Sequence, residues 1–120
     1  MLKGSSRYWV YKGGNAIDAA VAVSFSLAVV NPSAGNLGGG GFMLIHLSEM
    51  GETIALDYRE RAPIKSVEKM FLDQNEKVIK GLSLNSTLAS GVPGTVSGMF
   101  YASKKFGSMN IEKLISPSIE

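Results

Sequence analysis

The sequence predicts an α+β protein in which a buried helix packs on an antiparallel sheet. Three observations predict it: an apolar run over residues 16–30 behind a helix-start signal, two β-like runs joined by the short loop SEMG, and a second amphipathic stretch after Pro93. The chain has 120 residues, 45% of them hydrophobic and 18% charged, which is about one domain's length and outside the disordered class. A net charge of +2 implies neither nucleic acid nor an anionic membrane as a partner. With no cysteine and one histidine, disulfides, thiolate nucleophiles and thiolate metal sites are excluded, and a histidine metal site is disfavoured. No Lys or Arg lies between Lys12 and Arg59, so the middle of the chain reads as core.

Residues 1–12, MLKGSSRYWVYK, carry no apolar segment ahead of a small-residue cleavage site and do not read as a secretory signal. In GGNAIDAAVAV, Asn15 is a good N-cap, and Asp18 sits where a carboxylate can answer the cap's own amide. A helix over Ala16–Val30 is expected. Its apolar residues fall on several faces, which predicts burial nearly all round, and its fifteen residues fall short of the roughly 20 that span a bilayer. Asn31-Pro32 ends it.

Next, GFMLIHL and ETIALDYRE flank SEMG, the pattern of a hairpin with a short Gly-containing loop, and Arg59 falls at a strand end. Residues 66–72 predict a short helix, and the polar stretch through Lys80 predicts surface. In SGVPGTVSGMFYASKKFG, Pro93 suits the first helical position and Gly107 a left-handed C-terminal one. Val92, Val96, Met99, Phe100 and Phe106 make an apolar stripe, while Gly94 and Gly98, one turn apart, would let another backbone approach closely. A last helix begins near Asn110. Two strands do not stand alone, so the hairpin is expected to be a piece of a larger sheet.

Four consecutive glycines, Gly38 to Gly41, answer either of two needs, cradling an anion or close packing. No Gly-Lys-Ser/Thr follows them, and a Gly-x-Gly-x-x-Gly spacing would need glycine where Met43 stands. A nucleotide cradle also runs from strand into helix, whereas here a strand follows, so close packing is the favoured reading. His46 lies in an apolar strand without a second histidine or a nucleophile placed beside it, and is read as structural. Asp57 and Glu60 could work as a carboxylate pair or simply pair with Arg59 or Arg61. Arg59 is the better candidate for binding, because a guanidinium fixed at a strand end can hold a carboxylate through two parallel hydrogen bonds; the competing role is a structural ion pair.

Taken in order, GGNAIDAAVAV, NPSAGNLGGGGFMLIHL, ALDYRERAP and LASGVPGTVSGM resemble the large subunit of the γ-glutamyltranspeptidases, also called glutathione hydrolases, from Gly13 to Pro117. The resemblance implies that residues 13–120 are an incomplete portion of one αββα sandwich of the N-terminal-nucleophile hydrolases, with residues 1–12 an atypical leader. It implies a precursor that cleaves itself so that a new N-terminal threonine attacks the γ-glutamyl amide of glutathione or a related compound, with its own α-amine as base and no cofactor or metal. In the family's D-[FY]-R-E block the arginine binds the substrate α-carboxylate, which by direct match is Arg59. The glycine run is then expected to pack beside the site.

The family's nucleophile lies in a Thr-Thr-His stretch. Here Thr53, Thr87 and Thr95 are isolated and none precedes His, so no catalytic residue is expected within this chain, and the small subunit that carries the nucleophile and the oxyanion donors is an expected partner. The chain alone is expected to be inactive, with family location periplasmic or extracellular. The alternative is a non-enzymatic truncated remnant of such a gene.

Overall fold

The computed structural model describes residues 6–120. Five helices, α1 (Ser6–Tyr11), α2 (Ala16–Val30), α3 (Leu82–Asn85), α4 (Thr95–Phe106) and α5 (Ile111–Ile119), accompany a hairpin of β1 (Phe42–Leu47) and β2 (Glu52–Asp57) among the described residues. A single turn of tighter 3-10 helix covers Thr87–Ala89. Of the expected atypical leader, residues 1–5 lie outside the described residues. The rest contains α1, which the sequence did not announce, and its Trp9 is buried in the core.

Helix α2 starts as its sequence dictates. The Asn15 side chain accepts from the N–H groups of Ile17 and Asp18, and the Asn15 N–H donates to Asp18 Oδ2 at 2.8 Å. Ala19, Val21, Ala22 and Phe25 make its buried face. They pack with Trp9, Met99, Ala102 and Leu114 into one core. The expected all-round burial holds for the first turns and not for the last, where Val29 and Val30 face outward because only one side of the helix finds partners.

The hairpin pairs antiparallel with Phe42 opposite Asp57 and Leu47 opposite Glu52. Gly51, at φ +64°, closes the turn in a conformation that side chains with a Cβ resist. Strand alternation sends Met43, Ile45, Ile54 and Leu56 inward and leaves Phe42 and Leu44, 65% and 77% exposed, on the outer face. The helices therefore cover one side of this sheet and nothing among the described residues covers the other.

Three local expectations are corrected. Residues 66–72 form turns closed by Met70 N–H to Val67 O and Leu72 N–H to Lys69 O, after which Leu72 pairs with Val78; these contacts compete with a helix. Helix α4 begins at Thr95 with Gly94 as its cap, so Pro93 precedes the helix, and of the expected stripe Met99 lies on its buried face, with Gly98, Ala102 and Ser103, while Val96 and Phe100 are exposed. Gly107 is extended, with φ −77° and ψ 162°. It is glycine for room: a Cβ there would lie 2.6 Å from Ser103 O and 2.7 Å from Asp18 Oδ1. Helix α5 starts as expected, with Asn110 Oδ1 accepting from the Glu112 N–H.

Candidate functional site

Arg59 lies two residues beyond the end of β2, on an extended segment that lines a groove of about 560 Å³ between the hairpin and the start of α4. The ladder carries on past the strands: the Tyr58 N–H donates to Gly41 O at 3.0 Å, and the Gly41 N–H to Tyr58 O at 3.4 Å. Asp57 Oδ1 then accepts the Arg59 N–H at 2.9 Å, which turns the chain. Farther on, Arg61 and Val92 exchange two backbone hydrogen bonds, at 3.2 and 2.8 Å. The backbone before and after Arg59 is therefore tied down on both sides.

The glycine run explains how the segment fits. A Cβ on Gly40 would stand 2.6 Å from Glu60 N, 2.7 Å from Tyr58 O and 2.8 Å from Arg59 Cα. Across the segment, a Cβ on Gly94 would stand 1.9 Å from Tyr58 O, and one on Gly98 2.4 Å from Tyr58 Cγ. None of Gly38 to Gly41 has positive φ. Gly40 and Gly94 are glycine because backbone lies against them, and Gly41 and Gly98 because the Tyr58 side chain does, as the close-packing reading expected, whereas Gly38 meets nothing closer than 3.9 Å. Gly39 O also accepts the N–H groups of Gly94 and Thr95, at 2.9 and 3.0 Å, so the run caps α4 while it holds the segment.

The side chains around the groove are largely free to meet a ligand. Arg59, Asp57, Glu60 and Arg61 are exposed. Among the described residues the ion pair present is Lys69 with Glu76, far along the following loop, so the expected pairing of Asp57 or Glu60 with Arg59 or Arg61 does not form. Tyr58 is half-buried; burial raises its phenol above the ordinary 10.0, and its hydroxyl reaches Phe42 O at 3.4 Å. Ser97 and Tyr101, a turn apart on α4, also line the groove. Sequence reasoning did not single them out, although their spacing of four on a helix beside Gly94 and Gly98 was there to read.

His46 sits at the opposite end of the hairpin from Arg59, on the outer face, with Nδ1 3.1 Å from Thr53 Oγ1 of the facing strand. It has no place in the groove. No group of three His, Asp or Glu side chains among the described residues is arranged to hold a metal ion.

Asp18 is the residue whose extent the sequence understated. Beyond its capping role, this fully buried carboxylate accepts the Ser108 hydroxyl at 2.6 Å and the N–H groups of Ser108 and Met109 at 3.1 Å. Burial alone would raise its pKa; the Ser108 hydroxyl and then the N–H groups of Asn15, Ser108 and Met109 outweigh it and hold the carboxyl below its ordinary 3.8. It joins the start of α2 to the α4–α5 connection and stands apart from the groove.

The family model for gamma-glutamyltranspeptidase matches residues 9–120. A glutathione hydrolase proenzyme from Pseudomonas sp. (strain A14) is 58% identical over 107 residues, covering 89% of this chain and 18% of that protein. One from Escherichia coli (strain K12) is 53% identical over 109 residues, covering 91% of this chain and 19% of the relative. The crystal structure of Helicobacter pylori gamma-glutamyltranspeptidase superimposes with a TM-score of 0.91 at 54% identity, covering 95% of this chain and 32% of that one. The chain thus spans less than a fifth of the length of these curated relatives.

Proposed function

Because the chain belongs to the gamma-glutamyltranspeptidase family and takes up part of its N-terminal-nucleophile hydrolase fold, we propose that it contributes the donor-binding arginine of a γ-glutamyl-transferring enzyme. The whole enzyme would cleave the γ-glutamyl amide of glutathione and related compounds and pass the glutamyl group to water or to an amino acid or peptide. Arg59 would hold the donor α-carboxylate through paired, charge-assisted hydrogen bonds. One observation carries this: the Arg59 guanidinium is exposed on a groove, has no acidic partner among the described residues, and stands on backbone fixed from both sides.

The attacking threonine, whose free α-amine would serve as base, and the oxyanion donors would come from a small subunit outside this chain. Residues 13–120 would be a portion of one domain, inactive alone. The open outer face with Phe42 and Leu44 supports this dependence on further protein surface. The periplasm or cell exterior is the proposed location. No described helix is long and apolar enough to cross a membrane.

The test is a hybrid in which this chain replaces the matching segment of the Escherichia coli relative. Self-cleavage and hydrolysis of a γ-glutamyl anilide by the hybrid, none by the chain alone, and a raised donor KM in Arg59→Lys are the expected results. An unchanged donor KM in that variant removes Arg59 from the site. A hybrid that folds and self-cleaves but never hydrolyses the donor overturns the enzymatic reading.

A further inference from the structure

The Arg59 guanidinium has no ion-pair partner among the described residues, so what aims it must be the backbone that carries it. That backbone is fixed chiefly through its neighbour. Tyr58 presses its Cβ and ring root on Gly98, at 2.5 and 2.4 Å from where a Cβ would stand, and its ring edge on Gly41, at 3.0 Å. Its carbonyl lies against Gly94. We infer that Tyr58, seated between Gly98 of α4 and Gly41 of the glycine run, is the positioning residue that sets how far Arg59 reaches into the groove. The inference rests on Arg59 being the donor anchor.

The distances give the inference a scale. Real Cβ atoms essentially never come closer than 3.0 Å to such atoms, so the 2.4 Å at Gly98 is a shortfall of 0.6 Å. Bidentate recognition tolerates misplacement of only about 0.5 Å. An alanine at Gly98 must therefore displace Tyr58, and Arg59 with it, by more than the site can absorb. An alanine at Gly41 meets the ring edge at the 3.0 Å limit and asks for a few tenths of an ångström from the far side of a side chain. The two substitutions push the same residue by graded amounts. Because the nucleophile would lie elsewhere, the displacement should act on donor binding and leave the chemical step alone.

The closing experiment uses the self-cleaved hybrid enzyme carrying the full chain. Gly98→Ala should raise the donor KM about tenfold and Gly41→Ala about twofold, with kcat held within about twofold. Tyr58→Ala should raise KM as well, and Tyr58→Phe should restore it, since the ring does the seating and the hydroxyl makes only a 3.4 Å contact. Gly107→Ala is the structural control: a Cβ there would be nearly as tight, 2.6 Å from Ser103 O and 2.7 Å from Asp18 Oδ1, but Gly107 does not line the groove, so the change should lower Tm without moving KM. If Gly98→Ala prevents folding, Gly41→Ala and the Tyr58 pair decide the matter. Donor KM at the parent value in Gly41→Ala and Tyr58→Ala, while Arg59→Lys raises it, overturns the positioning role alone. Parent KM in Arg59→Lys overturns the donor anchor and this inference with it.

Discussion

Replacing Asp18 by Asn should cost the chain about 1 to 4 kcal/mol, and the structure shows where the cost arises. Four donors converge on the buried carboxylate: the Asn15 N–H at 2.8 Å, the Ser108 hydroxyl at 2.6 Å, and the Ser108 and Met109 N–H groups at 3.1 Å. An amide keeps one acceptor oxygen. If that oxygen serves the Ser108 and Met109 N–H groups, the new NH2 faces the Asn15 N–H, donor against donor; the Ser108 hydroxyl can rotate, but the backbone N–H cannot. One orphaned buried donor costs about 1 to 3 kcal/mol, and loss of the negative charge at the start of α2 adds about 0.3 to 1. At about 4 °C per kcal/mol for a chain of this size, Tm should fall by roughly 5 to 16 °C.

The pH dependence has a fixed sign. The folded carboxyl is held below its ordinary 3.8, so its contribution is fully present above that value and is lost as the pH falls through the depressed folded value. Thermal melts followed by far-ultraviolet circular dichroism from neutral to acid pH should therefore show a steep acid limb in the parent and a flatter one in Asp18→Asn. A Tm loss under about 3 °C, or equal acid limbs, would refute the assignment of Asp18 as the tie between the two helix ends.

Arg59→Lys in the hybrid should weaken donor binding by about 1 to 3 kcal/mol, roughly 5-fold to 150-fold in KM, with self-cleavage intact. Gly51→Val should destabilise the hairpin by about 1 to 2 kcal/mol, because φ +64° is strained for a β-branched residue although the space around it is open; Gly51→Asn should cost clearly less, and equal Tm values for the two would contradict the strain argument. Leu114→Ala, at the fully buried contact of α5 with the core, should cost about 2 to 5 kcal/mol, read as a lower urea midpoint at unchanged slope.

Helix α2 with its capping box, the hairpin and the Asn110 start of α5 could be read from the chain because their signals are local: a cap and its answering carboxylate, alternation, a side chain reaching two residues on. The close approach at Gly94 and Gly98 was legible as a possibility, but not its partner, since Tyr58 lies about forty residues away along the chain and nothing local names it. The same holds for Asp18, whose cap was plain and whose donors at Ser108 and Met109 arrive only through the fold. Apart from Met99, the stripe on α4 failed for a related reason. Periodicity finds an apolar face, but small residues, Gly98, Ala102 and Ser103, mark the side that is packed most tightly. Arg59 was singled out by chemistry and resemblance; its freedom from ion pairing among the described residues needed the structure.

The two hydrogen bonds between Arg61 and Val92 close the neck of everything from residue 62 to residue 91. That excursion has its own small devices, such as the Asp73 side chain accepting the N–H groups of Asn75 and Lys77 around Glu76 at φ 60°. Lengthening a loop whose ends are already pinned costs only about 0.6 kcal/mol per doubling. Insertions, deletions and drift in the outer part of the excursion, around Asp73 to Lys80, are therefore mechanically insulated from the groove, whereas Ala62, Pro63, Ser66 and Gly91 border a cavity that Arg59 and Glu60 also line. That outer part is where descendants of this sequence can change shape and acquire new surface while the segment around Arg59 keeps its fixed backbone.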